Sequence, residues 1–363
     1  MTAKLVFENL KHKPMRSLLS FLLIGVPVTL ILTLVGLANG MLQDSQNRAR
    51  GVGADLVVRG SGATSVVNMG TAISEKYVDM LAGIPHVTMA VGVLSHIVDF
   101  PVVMNGIEPD QFDRMSGGFQ YVEGHQLIGP DDILVDQLYA AQKKLRVGQT
   151  LSLLNHNWHV AGIVEGGKLA RIIVLAKTLQ NVDGQEGKVT QIWLKLDNPA
   201  NDGVVVKDIE DQTDLKVNTM ADFLALWSVG NIHGVTEFIY VIMGIGVLIG
   251  FVTVCLSMYM SVLQRTREIG ILKSLGASKA FILRIILAEA VVLSLGGTVM
   301  GILMSYGAWW LIRTFVPASL PMVIMYIWWP IAGVVALVGA LMGALYPGLS
   351  AARHDPIEAL AYE

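Results

Sequence analysis

The sequence predicts a membrane protein, mainly α-helical, with four transmembrane helices and a large α+β exoplasmic (periplasmic) domain inserted between helices 1 and 2. Three observations predict it. Of 363 residues, 53% are apolar and only 15% charged, too lopsided for an ordinary soluble chain. Four long apolar runs occur, one near the start and three in the last third. Between the first two lies residues 44–236, which holds most of the acidic residues and no run long enough to cross a bilayer. A net charge of -3 offers no basic field for nucleic acid. The single cysteine, Cys255, excludes a disulfide or a cysteine metal site within one chain.

Residues 1–16 form a basic, amphipathic segment. Leu5, Val6, Phe7 and Leu10 alternate with Lys4, Lys11, Lys13 and Arg16, as in a helix lying in the cytoplasmic interface or a plain basic flank. Pro14 ends or bends any helix there. Residues 17–43 carry no charge and form the first transmembrane helix. Its apolar region exceeds the roughly 7–15 residues of a signal peptide, and Pro27 predicts a kink.

Residues 44–236 read as a mixed aqueous domain. Strands are expected at 55–59, 102–107, 132–135, 148–154, 158–164 and 189–196, where apolar residues run or alternate at period two. Helices are expected at 74–82, with Ser74 as cap and Tyr77, Met80 and Leu81 on one face, at 137–145, and at 218–227. His156 and His159 sit three apart, but on a strand they do not share a metal.

Residues 237–264 are the second transmembrane helix, with Gly244, Gly246 and Gly250 permitting close helix contact. Residues 265–279 are a charged, glycine-punctuated cytoplasmic link. Residues 280–313 are the third transmembrane helix, interrupted by one carboxylate, Glu289. Residues 314–324 make a short outer loop, 325–348 the fourth helix with Gly333, Gly339 and Gly343 as its small-residue face, and 349–363 a cytoplasmic tail. Trp309, Trp310, Tyr326, Trp328 and Trp329 read as interface anchors or as the lining of a lateral substrate entrance. Lys and Arg cluster in the N-terminal flank and the 265–279 link, which predicts cytoplasmic termini and an exoplasmic domain.

The chemistry motifs are mostly absences. No G-x-x-x-x-G-K-[ST] cradles a nucleotide, no H-E-x-x-H holds zinc, and no G-x-S-x-G elbow presents a nucleophile. An intrinsic enzyme is not expected, nor a cofactor in this chain. Glu289 is different, because a carboxylate within a span needs a partner or water. It reads either as a substrate contact or as a polar link that pins helix packing.

The link Arg265–Ser278 (R-T-R-E-I-G-I-L-K-S-L-G-A-S), the third-span opening Glu289–Gly297 with Gly301, and the tail Pro347–Arg353 with Asp355–Leu360 together resemble the MacB/FtsX-like (type VII) family of ABC transporter permeases. The resemblance implies the membrane subunit of an ATP-driven complex. Two copies of a separate cytoplasmic ATPase would bind ATP and Mg. A second permease, expected to be identical, would complete the complex in the bacterial inner membrane. By the same resemblance, Arg265, Arg267, Glu268, Lys273 and Gly276 would form the ATPase-coupling segment. ATP-driven closure would pass through it to the exoplasmic domain, a mechanism termed mechanotransmission. The expected output is export of a lipophilic or amphipathic compound, with a periplasmic adaptor as a compatible partner. Two other outputs stay open: an FtsX-like signal to an exoplasmic enzyme, and lipoprotein extraction. From the residues alone, Ser278 is expected to cap the third helix, Gly270 and Gly276 to allow tight turns, and the cations to offer docking charge.

Overall fold

A computed structural model describes residues 14–61, 72–99, 102–228, 235–264 and 266–353. The amphipathic reading of the N-terminal segment and the Asp355–Leu360 part of the tail fall outside the described residues. The chain divides into two compact units: residues 1–37, 234–311 and 322–363, and residues 38–233 with 312–321.

The first unit is helical. α1 (Pro14–Arg50) contributes its N-terminal part, running unbroken through Pro27. It does not end near residue 43 as the charge pattern suggests, and its last turns belong to the second unit. The other three apolar helices are α8 (Val235–Gln264), α10 (Lys279–Phe315) and α11 (Trp328–Arg353), and each is long and apolar enough to cross a membrane. The last begins three residues later than the sequence suggests and carries Pro330 in its first turn, where the missing N–H costs nothing.

Small residues set the helix crossings. A Cβ on Gly297 would stand 2.5 Å from Ile24, and one on Gly301 2.6 Å from Val28, so α10 meets α1 at backbone distance. Thr29 Oγ1 donates there to the carbonyls of Gly25 (2.8 Å) and Gly301 (3.1 Å). On α11, Ala332, Ala336, Ala340 and Ala344 are buried at four-residue spacing. Beside them a Cβ on Gly343 would meet the Phe251 carbonyl of α8 at 2.4 Å, and one on Gly339 that of Val247 at 2.9 Å. Gly333 lies against Thr298. The reading of α8 needs one correction: Gly246 faces Ile31 and Gly250 is buried with its backbone 3.6 Å from a Cβ on Gly339 of α11, but Gly244 is exposed and looks into open space. Its apolar residues Val241, Ile245, Leu248, Val252 and Leu256 form an exposed stripe, as suits a lipid-facing surface. Mean hydropathy over a long run identifies a span but cannot say which glycines touch a neighbour.

The second unit is built on a ten-stranded mixed sheet in the order β12-β1-β11-β3-β4-β9-β6-β8-β5, with β7 paired to β8. Its strands are β1 (Leu56–Gly60), β3 (Val87–Asp99), β4 (Val102–Ile107), β5 (Tyr121–Gly124), β6 (Asp132–Asp136), β7 (Thr150–Leu153), β8 (His156–Val164), β9 (Ile172–Leu175), β11 (Gln191–Leu196) and β12 (Leu215–Thr219). A small second sheet pairs β2 (Ile73–Ser74) with β10 (Lys188–Val189). Pairing is antiparallel except for β4 with β9 and β6 with β8.

Both faces are covered. Val57, Val91, Val93, Ile107 and Trp193 point to one face, which packs against the end of α1, α3 (Pro109–Ser116) and α7 (Met220–Leu226). Leu56, Val58, Ile192 and Leu194 point to the other, beneath α2 (Lys76–Ala82) and α6 (Asp202–Gln212). Farther along, Met104, Ile133, Val135 and Val174 lie beneath α4 (Gln137–Lys143) and α5 (Ala176–Val182). Double coverage explains why β3 was illegible: with Ala90, Val91, Val93 and Leu94 all buried, period-two alternation disappears.

Two local expectations are corrected. Ser74 belongs to β2, and Glu75 occupies the cap of α2, although Ser74 Oγ accepts the Lys76 N–H at 3.4 Å. Met80 is 40% exposed, and Tyr77 and Val78 pack with Leu81 instead. Residues 218–227 start as strand, and Thr219 then caps α7 by accepting the Asp222 N–H.

Candidate functional site

The charged link folds as α9 (Thr266–Ser274) followed by a tight stop. The Ala277 N–H bonds the Leu272 carbonyl and the Gly276 N–H that of Lys273, both at 3.0 Å, which is the paired closure of a Schellman turn. That closure puts Gly276 at φ +91°, where an L side chain is strained. Two residues on, Ser278 Oγ accepts the Phe281 N–H at 3.2 Å and starts α10. Gly270 does not serve a turn, because it is buried within α9. The link is thus a short helix with both ends of its exit specified by side-chain chemistry.

The five predicted coupling residues are placed unequally. Gly276 is exposed at the stop. Lys273 is half-buried, and its Nζ donates to the Ala352 carbonyl at 3.0 Å. A cation on the last carbonyls of a helix suits the negative end of the dipole, so Lys273 ties α9 to the end of α11. Arg267 and Glu268 lie on α9, and Arg265 is outside the described residues. Glu289 is buried on the inward face of α10, in one stripe with Ile282, Ile286, Leu293 and Gly297.

The sequence reading missed a buried ionic cluster in the second unit. Arg48 Nε and Arg171 Nη2 each reach Asp44 Oδ2 at 2.9 Å, and Arg171 Nη1 reaches Asp136 Oδ2 at 2.8 Å. Arg48 Nη2 closes the ring on Asp136, and its Nη1 donates to the Ala170 carbonyl at 3.0 Å. Two cations and two anions cancel. Asp136 also caps α4, its Oδ1 accepting the Tyr139 N–H at 2.7 Å. Burial and the adjacent Arg48 pull Arg171 below the ordinary guanidinium value, against the opposing pull of Asp136 and Asp44. Asp44 and Arg48, four apart on one helix, were the only local hint.

No group of three or more metal-ligating side chains occurs among the described residues. His156 Nε2 meets Asp131 at 2.8 Å and His159 Nδ1 meets Asp132 at 3.3 Å, so each imidazole has its own carboxylate.

Four apolar helices, an α+β domain inserted after the first, and a capped charged helix between the second and third define a membrane protein of permease type. Comparison with known families agrees. The MacB-like periplasmic core domain matches residues 17–212 and the FtsX-like permease C-terminal domain residues 240–356. The chain belongs to the MacB/FtsX-like family of ABC transporter permeases. The uncharacterized ABC transporter permease YknZ of Bacillus subtilis is 44% identical over 35% of this chain and 32% of its own length. The macrolide export ATP-binding/permease protein MacB of Rhodopirellula baltica is 32% identical over 54% of this chain and 27% of its own. An uncharacterized ABC transporter permease of Methanocaldococcus jannaschii is 28% identical over 61% of this chain and 59% of its own. The solved extracellular domain of YknZ aligns over 46% of this chain and 99% of that domain, at 13% identity and a TM-score of 0.36, and adds nothing to the assignment.

Proposed function

We propose that this chain is the membrane subunit of an ABC exporter and converts ATP hydrolysis in a partner into movement of its inserted domain. The observation that carries the reading is the link 264–278. It is a short charged helix with a Schellman stop and a serine-capped restart, set between two apolar helices, in a chain of this permease family. A lever must be stiff at its joints. The stop at Gly276, the cap at Ser278 and the Lys273 bond to Ala352 supply that stiffness.

In this reading ATP and Mg are bound by a cytoplasmic ATPase present in two copies; the 363 residues here contain no phosphate-binding loop motif of their own. Two permease chains, identical to one another, sit in the bacterial inner membrane with both termini cytoplasmic. The supporting feature is the excess of Lys and Arg before residue 17 and in the link. The inserted domain faces the periplasm, where an adaptor completes the route. The cargo is lipophilic or amphipathic, and force rather than a pore between the spans moves it.

The test is reconstitution with the partner ATPase in proteoliposomes, following ATP hydrolysis and export of a lipophilic dye together. In Gly276→Val and Glu268→Lys, the complex is expected to insert and hydrolyse ATP while export is lost. Wild-type export in both variants would reject the coupling role.

A further inference from the structure

The inserted domain contains a cavity of about 120 Å³, lined by the last turns of α1 and by residues of β3, β4, β11 and α7. Engineered apolar cavities of about 150 Å³ take up benzene, so the volume suits one ring. Asp44, Arg48 and Arg171 form the charged part of its wall. With Asp136 they neutralise one another, so this wall presents no net charge to an ion. Trp193, Phe223 and Trp227 form the aromatic part, with Trp193 and Phe223 edge to face at 5.6 Å.

The polar accounting of this wall is incomplete. Asn105 Oδ1, Trp193 Nε1 and Trp227 Nε1 are buried without a hydrogen-bond partner, and all three residues line the same cavity. An indole N–H only donates, so both tryptophans call for an oxygen. Buried polar atoms in folded proteins are nearly always satisfied, by protein, water or ligand.

We propose that this cavity binds an uncharged molecule of about one ring in size that carries an oxygen acceptor. The ring lies among Trp193, Phe223 and Trp227, and the oxygen accepts an indole N–H after a small side-chain adjustment. The site stands independently of the export reading, because it rests on residues of the inserted domain alone. Ordered water is the competing occupant.

The test uses the full chain in lipid nanodiscs and 4-fluoroacetophenone, followed by ¹⁹F NMR. Saturable binding is expected, with displacement by unlabelled acetophenone. Ethylbenzene, which lacks the acceptor, should displace about tenfold less well, the loss expected for an unmade hydrogen bond in a buried site. Benzoate and benzylammonium should not displace. Trp193→Phe keeps the ring and loses the donor, and should weaken binding about tenfold. Ser45→Leu fills the cavity from α1, where leucine favours the helix, and should abolish binding while the protein stays folded. Uptake that never saturates, equal binding by Ser45→Leu, or displacement by the ions as strong as by acetophenone would each overturn the proposal.

Discussion

At the residue scale, the most consequential side chains are those whose partners are distant in sequence. Asp136 accepts from Arg48 and Arg171 while capping α4, so one 2%-exposed carboxylate holds three segments. Removing one partner of a buried pair strands the rest. Asp136→Asn is therefore expected to destabilise the protein by about 3–5 kcal/mol, read as a lowered midpoint in chemical unfolding of the detergent-solubilised chain. Replacing Asp44, Arg48, Asp136 and Arg171 together by apolar residues of similar volume should cost much less, because no unpaired charge remains. At Glu289, Glu289→Gln separates the two readings of that residue. Altered dye export at unchanged thermal stability marks a substrate contact, and unchanged export with a lowered melting temperature marks packing. The ionic cluster was not legible because Asp136 and Arg171 carry no sign of burial, whereas Gly276 and Ser278 were, since caps and stops are local.

At the element scale, the helix contacts rest on missing side chains. A side chain at 343 would collide with the Phe251 carbonyl, and Cys255 N lies 3.0 Å from the same point. Gly343→Val should therefore push α8 and α11 apart and speed maleimide labelling of Cys255 several-fold, measured against the wild-type rate in the same detergent. The loop after α10 has its own anchor. Gln142 Oε1 accepts from the N–H groups of Ala318 (2.9 Å) and Ser319 (3.1 Å), while its Nε2 donates to Ser319 Oγ at 2.7 Å. Ala318 is 1% exposed within the core around Met104 and Trp158. Gln142→Ala should leave two part-buried N–H groups without this partner, at about 1 kcal/mol or more in total, and make residues 316–321 cut faster in limited proteolysis. The sequence marked this stretch only as a proline-bearing loop. Its docking depends on a glutamine on α4 that looks like any polar helix residue.

At the whole-molecule scale, the proposed coupling role rests on the capped link between two spans in the helical unit. α1 runs for 37 residues, about 55 Å at 1.5 Å per residue, with its first part in the helical unit and its last turns in the core of the other. The proposed sidedness is checked by cysteine labelling in intact cells with Cys255 replaced. A cysteine at Gly184 in the inserted domain should react with a membrane-impermeant maleimide from outside, and one at Leu275 in the link should react only after lysis. The opposite pattern would invert the topology.

The sequence by itself determined the four apolar helices, their order around an inserted α+β domain, the family, and the stop and cap of the link. Each of these depends on composition or on residues within one turn of each other, so no distant partner is needed to read it. Only the tertiary structure decided the ten-stranded order, which glycines bring helices together, the ionic cluster, the Gln142 anchor and the unsatisfied cavity. These arise where segments far apart in the chain meet, and burial alone turns an ordinary aspartate, asparagine or tryptophan into a costly or a useful group.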